Sequence, residues 1–515
     1  MMKNLFITIF LCLTIGNIQA QPNIEWQKAF GGSHNEEAHS IKQTTDGGYI
    51  VVGHTQSTDG DVTGNHGGTD YWVLKLTGSG AISWERCYGG TKNEKAYSAQ
   101  QTTDGGYIVG GYSSSNDGDA SGNHGGTDIW IIKLTSTGDL EWQKMLGGTK
   151  GDWLGSVQQT TDGGYILLGS TESNDGDVSV NRGDADFWLI KLTETGAISW
   201  QKTLGGSDYD QGNSIRQTAD GGYIVAGTTK STDGDISGSN GWNDAWIAKL
   251  NSAGNIEWQK CMGGFLRDGA NNIQLTADGG FVAAVWSSSK TYGDFDTNKG
   301  GYDSWIVKMN KSGIVEWKKN LGGSKNDFIE YIVQTNDGGF IAAGYSQSED
   351  FDLTGLHIGE FDFWIIKLNN DGTVIWQKCF GNELSDYAFE IQQTTDGGFI
   401  ICGIFDTVDN AIPTGHGRDD FVVIKLSTPT GTNDLELNAG VHLFPNPASN
   451  QLTIKTDSRL IDSNYTVLNI MGQTVRSGKI NSNNILLEVE GLPGGTYFVQ
   501  IQSKGGGSIS RFIKE

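Results

Sequence analysis

The chain has 515 residues, enough for one large domain and a small one, and carries 76 glycines but only 6 prolines, a balance that suits many tight turns rather than a disordered linker. Its formal net charge of −24 disfavours nucleic acid and anionic membrane as partners, because their phosphates would be repelled. Neutral glycans, basic proteins and divalent cations remain compatible.

Residues 1–20 read as a secretory signal peptide. Met1-Met2-Lys3-Asn4 is a short basic start, residues 5–15 form an apolar stretch too short for a permanent bilayer span, and Ile18-Gln19-Ala20 fits a small-residue cleavage site, so the mature chain is expected to begin at Gln21. Cys12 lies inside this segment, and the preceding Ile9-Phe10-Leu11 lacks the small residues of a lipoprotein signal.

From residue 21 onward the chain repeats. Asp-Gly-Gly-(Tyr/Phe) begins at Asp46, Asp104, Asp162, Asp220, Asp278, Asp337 and Asp396, at intervals of 58 or 59 residues, and Trp26, Trp84, Trp142, Trp200, Trp258, Trp317 and Trp376 keep the same step. In the first unit, residues 38–45 alternate into the Asp-Gly-Gly turn, and 48–55 are nearly continuous in apolar residues, as an interior strand requires. A polar loop over 56–69 leads to an apolar strand at 71–76, a Gly78-Ser79-Gly80 turn and a strand around Trp84. Four short antiparallel strands repeated seven times predict an all-β, seven-bladed β-propeller over residues 21–427. An unpartnered strand at 24–30 precedes the first unit and a three-strand set ends the last, so the N-terminal strand is expected to complete the seventh blade and close the ring. Cys87, Cys261 and Cys379 then fall on the same strand of different blades, too far apart to pair, and no disulfides are expected.

Residues 428–440 read as a linker, and 441–515 contain neither an Asp-Gly-Gly unit nor a Trp. Short strands with Gly and Pro turns predict a small immunoglobulin-like β-sandwich there. The motifs Leu443-Phe444-Pro445-Asn446-Pro447-Ala448, Val467-Leu468-Asn469-Ile470-Met471-Gly472-Gln473, Leu492-Pro493-Gly494-Gly495-Thr496-Tyr497-Phe498-Val499 and Arg511-Phe512-Ile513-Lys514 occur in that order. This stretch resembles the type A C-terminal sorting domain of the type IX (Por) secretion system of Bacteroidota. The resemblance implies export by that machinery, with the protein released or attached at the outer-membrane surface. The repeats resemble the Gly- and Trp-rich propellers of secreted proteins from the same bacteria and, more distantly, quinoprotein-like blades, which implies a blade type and no quinone cofactor.

Meander geometry puts the long loops and the links between units on one face, the expected binding face. It is rich in carboxylates: Glu36, Glu94, Asp152, Asp210, Asp268, Asp327 and Asp386 in the links, and Asp70, Asp128, Asp186, Asp244, Asp303, Asp362 and Asp420 before each third strand. Their presence in every unit argues for a structural role, with the seven repeated lysines (Lys75 and its equivalents) placed opposite them or the fourth strand's basic residue. The pairs Asp59/Asp61, Asp117/Asp119, Asp175/Asp177 and Asp233/Asp235 put two carboxylates two residues apart in a loop, the oxygen donors a Ca²⁺ site would use, although solvated Asx turns use the same residues. Trp153, Trp242 and Trp286 stand outside the repeat pattern and are the candidate ligand-stacking residues. No catalytic residue can be assigned, since neither a nucleophile elbow nor a close His/Cys set occurs. The expected function is non-catalytic binding of an extracellular glycan or surface protein; the alternative is an endoglucanase-like, polysaccharide-acting hydrolase using acidic residues of the long-loop face.

Overall fold

The structure, a computed structural model, describes residues 21–290, 293–295, 297–353, 359–406, 417–429, 442–456, 460, 461, 463–469, 473–503 and 506–514. The signal-peptide segment 1–20, most of the linker at 428–440, and Ile470-Met471-Gly472 of the second sorting motif lie outside them. Contacts divide the chain into a compact unit over Asn23–Thr428 and a second one containing Pro429–Glu515.

The larger unit consists of seven four-stranded antiparallel sheets. The first blade runs from an inner strand, Glu36–Gln43, through Tyr49–Thr55 and Asp70–Leu76 to an outer strand, Ile82–Tyr88. The second and third strands are buried along their whole length, as strands covered on both faces must be, whereas the inner and outer strands keep one partly exposed face. The seventh blade takes its outer strand from the other end of the unit: Ile24–Phe30 pairs antiparallel with Asp419–Leu426. Inner strands of consecutive blades touch, and the seventh touches the first.

The two markers of the repeat pack on each other. Each outer-strand Trp lies against the aromatic that follows Asp-Gly-Gly in the next blade, from Trp84 on Tyr107 (6.0 Å between ring centroids) through Trp376 on Phe399 (6.1 Å) to Trp26 on Tyr49 (5.9 Å). Glycine seats the ring: Gly80 has φ of +78°, and a Cβ there would come within 2.9 Å of the Trp26 indole.

The repeated lysines sit elsewhere than expected. Lys75 donates to the Asp46 carboxylate at 2.9 Å and to the Leu76 carbonyl at 3.1 Å, tying the Asp-Gly-Gly turn to the end of the third strand. Asp70 begins that same strand and is therefore at its opposite end. The same turn pairing recurs at Lys191 with Asp162 and Lys367 with Asp337. Cys87, Cys261, Cys379 and Cys402 are all unpaired thiols.

In the second unit, His442–Phe444, Gln451–Lys455 and Asn484–Glu488 form one sheet, and Thr474–Lys479, Asn464–Asn469, Gly495–Ser503 and Gly506–Lys514 form another. Leu452, Ile454, Val467, Val499, Ile501 and Phe512 bury its core. Those residues come from both sheets, which is the sandwich arrangement.

Candidate functional site

The seven inner strands surround a central cavity of about 990 Å³. Each inner strand carries a β-bulge, located in the first blade between Ala38 and Ser40, and the bulged residue lines the cavity in every blade: His39, Tyr97, Gly155, Asn213, Asn271, Glu330 and Phe389. One scaffold position thus holds a different chemistry in almost every blade. A repeated fold can place distinct side chains around one axis only at such unrepeated positions.

A polar network crosses the cavity. Lys42 of the first blade donates to the Glu390 carboxylate of the seventh and, at 3.2 Å, to the Tyr331 hydroxyl of the sixth. Arg216 of the fourth blade reaches the same hydroxyl at 3.2 Å and donates to Gln274 at 2.8 Å. Glu390 also accepts from the Ser40 hydroxyl and the Ile41 amide, both at 2.7 Å. Burial alone would lower the Lys42 pKa, but the adjacent carboxylate outweighs it and holds the ammonium above the ordinary lysine range. Burial also lifts Glu330 to about 7, making it a carboxyl that exchanges its proton near neutrality.

Toward the end where the inner strands begin, aromatic rings follow one another across blades. Trp286 meets Tyr302 at 5.6 Å, Tyr302 meets Phe328 at 5.4 Å, Phe328 meets Tyr345 at 5.3 Å, and Tyr345 meets Tyr387 at 4.8 Å. In the first blade Glu37 and His54 are cross-strand partners, and His39 packs at 4.8 Å on both Tyr97 and Phe389.

The three candidate tryptophans separate. Trp153 lines the cavity. Trp286 is partly buried, donates to Asn271 at 3.0 Å and belongs to the aromatic series. Trp242 is 65% exposed on a long loop, with the Arg267 guanidinium 5.6 Å from its ring.

The paired aspartates hold loops. Asp59 accepts from the Ser33 amide at 2.8 Å and Asp61 from that of Gly31 at 3.3 Å; Asp117 accepts from Thr91 at 2.8 Å and Asp119 from Gly89 at 3.4 Å. Asp175 and Asp177 do the same for Thr149 and Gly147, and Asp233 and Asp235 for Ser207 and Gly205. Each pair clasps the link that enters its own blade. In three of the four pairs the second aspartate also faces a basic side chain of the preceding blade, with His66 3.9 Å from Asp119, His124 3.9 Å from Asp177, and Arg182 bonded to Asp235. At least one oxygen of each aspartate is engaged in this way, so the pairs serve as loop clasps. Among the described residues, the group whose ligand atoms converge closely enough for a metal is Glu37, His39 and His54, which sequence reasoning did not single out.

The acidic face is likewise built inward. Link carboxylates and those preceding the third strands are at most 1% exposed, so they offer no open acidic surface. They come in pairs around a glycine: a Cβ on Gly205 would lie 2.3 Å from Asp186 and 2.6 Å from Asp210. Burial raises Asp186 to about 6.

Comparison with known proteins adds one assignment. Residues 442–515 match the family described as secretion system C-terminal sorting domain. The second unit is a sorting domain. It places this β-propeller among chains exported by type IX secretion to the cell surface or the extracellular space. Over 252 residues the chain is 23% identical to the regulatory protein FlaEY of Caulobacter vibrioides, covering 44% of this chain and 26% of that protein, so it spans about a quarter of that relative's length. Solved structures similar to it include the Pan2 WD40 domain of Neurospora crassa (TM-score 0.40, 10% identity, covering 77% of this chain and 90% of that one). YCF48 bound to D1 peptide gives a TM-score of 0.40 at 9% identity, covering 80% and 98%, and puromycin hydrolase 0.44 at 9%, covering 86% and 62%. Among the described residues no helix is long and apolar enough to cross a membrane.

Proposed function

We propose that the propeller is an extracellular binding module, and that its central cavity takes a segment of a neutral polysaccharide. The carrying observation is the composition of the cavity wall, where amides such as Gln100, Gln158 and Asn213 alternate with hydroxyls such as Ser98 and Ser156 beside the rings of Tyr97, Trp153 and Phe389. Amides and hydroxyls exchange hydrogen bonds with sugar hydroxyls, and flat rings cover the apolar faces of pyranoses. Of the three candidate tryptophans, Trp153 lines this cavity, while Trp286 packs in the aromatic series beside it and Trp242 lies apart on its loop.

A glycan array probed with the purified chain supplies the ligand. Trp153→Ala should then weaken binding about tenfold or more, while Trp242→Ala leaves it unchanged. A glycan held equally by wild type and by a Trp153→Ala/Tyr97→Ala variant would move the site off the cavity. One observation favours the hydrolase alternative: Glu330, with its pKa near 7, projects into the same cavity. Turnover of the bound glycan that disappears in Glu330→Gln, with binding retained, would establish it.

A further inference from the structure

We propose that Glu37, His39 and His54 form a binding site for one divalent transition-metal ion of the Zn²⁺ class, built into the first blade where the inner strand meets the cavity. The first observation is distance. His39 Nε2 lies 3.3 Å and His54 Nε2 3.6 Å from the same carboxylate oxygen, Oε2 of Glu37, and the three ligand atoms lie within 4.8 Å of one another. Zinc binds imidazole nitrogen at about 2.0–2.1 Å and carboxylate oxygen at about 2.0–2.2 Å, so tetrahedral donors sit about 3.3–3.5 Å apart. Both Glu37 edges of the triangle are near that length. Two imidazoles and one carboxylate on three corners leave a fourth position open, a donor set suited to zinc and to other borderline divalent ions.

The second observation is what these side chains lack. His54 is only 2% exposed, yet its Nδ1 has no hydrogen-bond partner, and the buried Nε2 of His39 also has none despite its closeness to Glu37. Buried polar nitrogens are ordinarily paired, and an unpaired one costs about 1–3 kcal/mol. A metal ion bound at Nε2 of His39 would give that nitrogen its partner, whereas on His54 the nitrogen that faces Glu37 is Nε2 and the orphan is Nδ1.

The third observation is that the scaffold does not require them. The corresponding positions, fixed by strand register and bulge, hold Lys95, Tyr97 and Tyr112 in the second blade and Trp153, Gly155 and Ser170 in the third. Those blades form the same sheet without an imidazole. A packing role shared by all blades therefore cannot explain two histidines and a glutamate at these places in the first.

The test uses the full chain without a histidine tag, stripped with a chelator and titrated with Zn²⁺ alone, with Co²⁺ as a spectroscopic substitute. One ion should bind per chain at this site, Co²⁺ should give the intense visible bands of four- or five-coordination, and Zn²⁺ should raise the melting temperature. Glu37→Gln, His39→Gln and His54→Ala should each weaken binding about a hundredfold or more and abolish the band. Glu37 and His39 are partly exposed, so their variants keep the test valid if the buried His54→Ala fails to fold. Asp61→Asn, on the loop clasp, should bind the ion as wild type does. Absence of a Co²⁺ band, or Zn²⁺ binding that survives in Glu37→Gln and His39→Gln, would overturn the assignment.

Discussion

Lys42 and Glu390 show what a residue does at an unrepeated position of a repeated fold. Glu390 is 4% exposed and holds its charge through Lys42, Ser40 and the Ile41 amide. Lys42→Met would leave that carboxylate buried without its cation, and the expected loss is about 3 kcal/mol. Adding Glu390→Gln removes the stranded charge and should restore more than half of it. Urea unfolding of the two variants checks both values; a single-variant loss below about 1 kcal/mol would place the pair with ordinary surface ion pairs. Neither residue was distinguishable in the sequence, because the alternation over residues 38–45 starts the inner strand two residues late and carries no sign of the bulge at His39. That shift also hid the Glu37, His39 and His54 cluster, whose members come from two strands. A column-by-column comparison of the seven units at these positions would have exposed it.

At the scale of the element, the legible features were those with a local cause. The Asp-Gly-Gly turn and the apolar second strand reflect chemistry within about ten residues, the Trp step marks the repeat itself, and all of them appear in the strands and turns observed. What the spacing could not reveal was their partnership, since Trp26 packs on Tyr49 of another blade and Lys75 turns back to Asp46 instead of Asp70. The N-terminal strand makes the consequence measurable. Deleting residues 21–31 removes the outer strand from Asp419–Leu426 together with the Trp26 ring, and should lower the melting temperature and broaden the transition of the whole propeller. The same melting temperature and sharpness in the deleted chain would show that Ile24–Phe30 is dispensable. Trp188→Ala gives the scale for a core loss: the ring is fully buried and its removal should cost about 3–5 kcal/mol.

Across the whole molecule, buried carboxyls repeated from blade to blade couple the ring's stability to pH. Burial raises Asp70, Asp152, Asp186, Asp244 and Asp303 from 3.8 to about 6, and Asp386 to about 7. A carboxyl with a raised pKa binds its proton more tightly in the folded chain, so its stabilisation is fully present below pH 3.8 and is lost as pH rises through about 6. Two groups of residues oppose this. Burial lowers His54 to about 4, so the folded state loses stability from this residue as pH falls from 6.5 toward that value. Asp46 and its equivalents Asp104, Asp220, Asp278 and Asp396, held at about 2 despite some desolvation by bonds to their turn and lysine, lose their contribution only below 3.8. Between about pH 4 and 7 these raised carboxyls, together with Glu330 at about 7, act against one histidine, and the melting temperature should rise on going from pH 7.5 to pH 5. Asp186→Asn isolates the cause. The Asp186 carboxylate accepts from the Arg182 amide at 2.8 Å through one oxygen, while the other, buried beside Asp210, has no partner. An amide there stands in for the protonated acid, so the variant should melt higher than wild type at pH 7.5 and show a shallower pH dependence. A melting temperature that falls steadily from pH 7.5 to 5 in wild type, or a variant destabilised at pH 7.5, would mean that these carboxyls are ionised in the folded ring and that each glycine between them separates two charges.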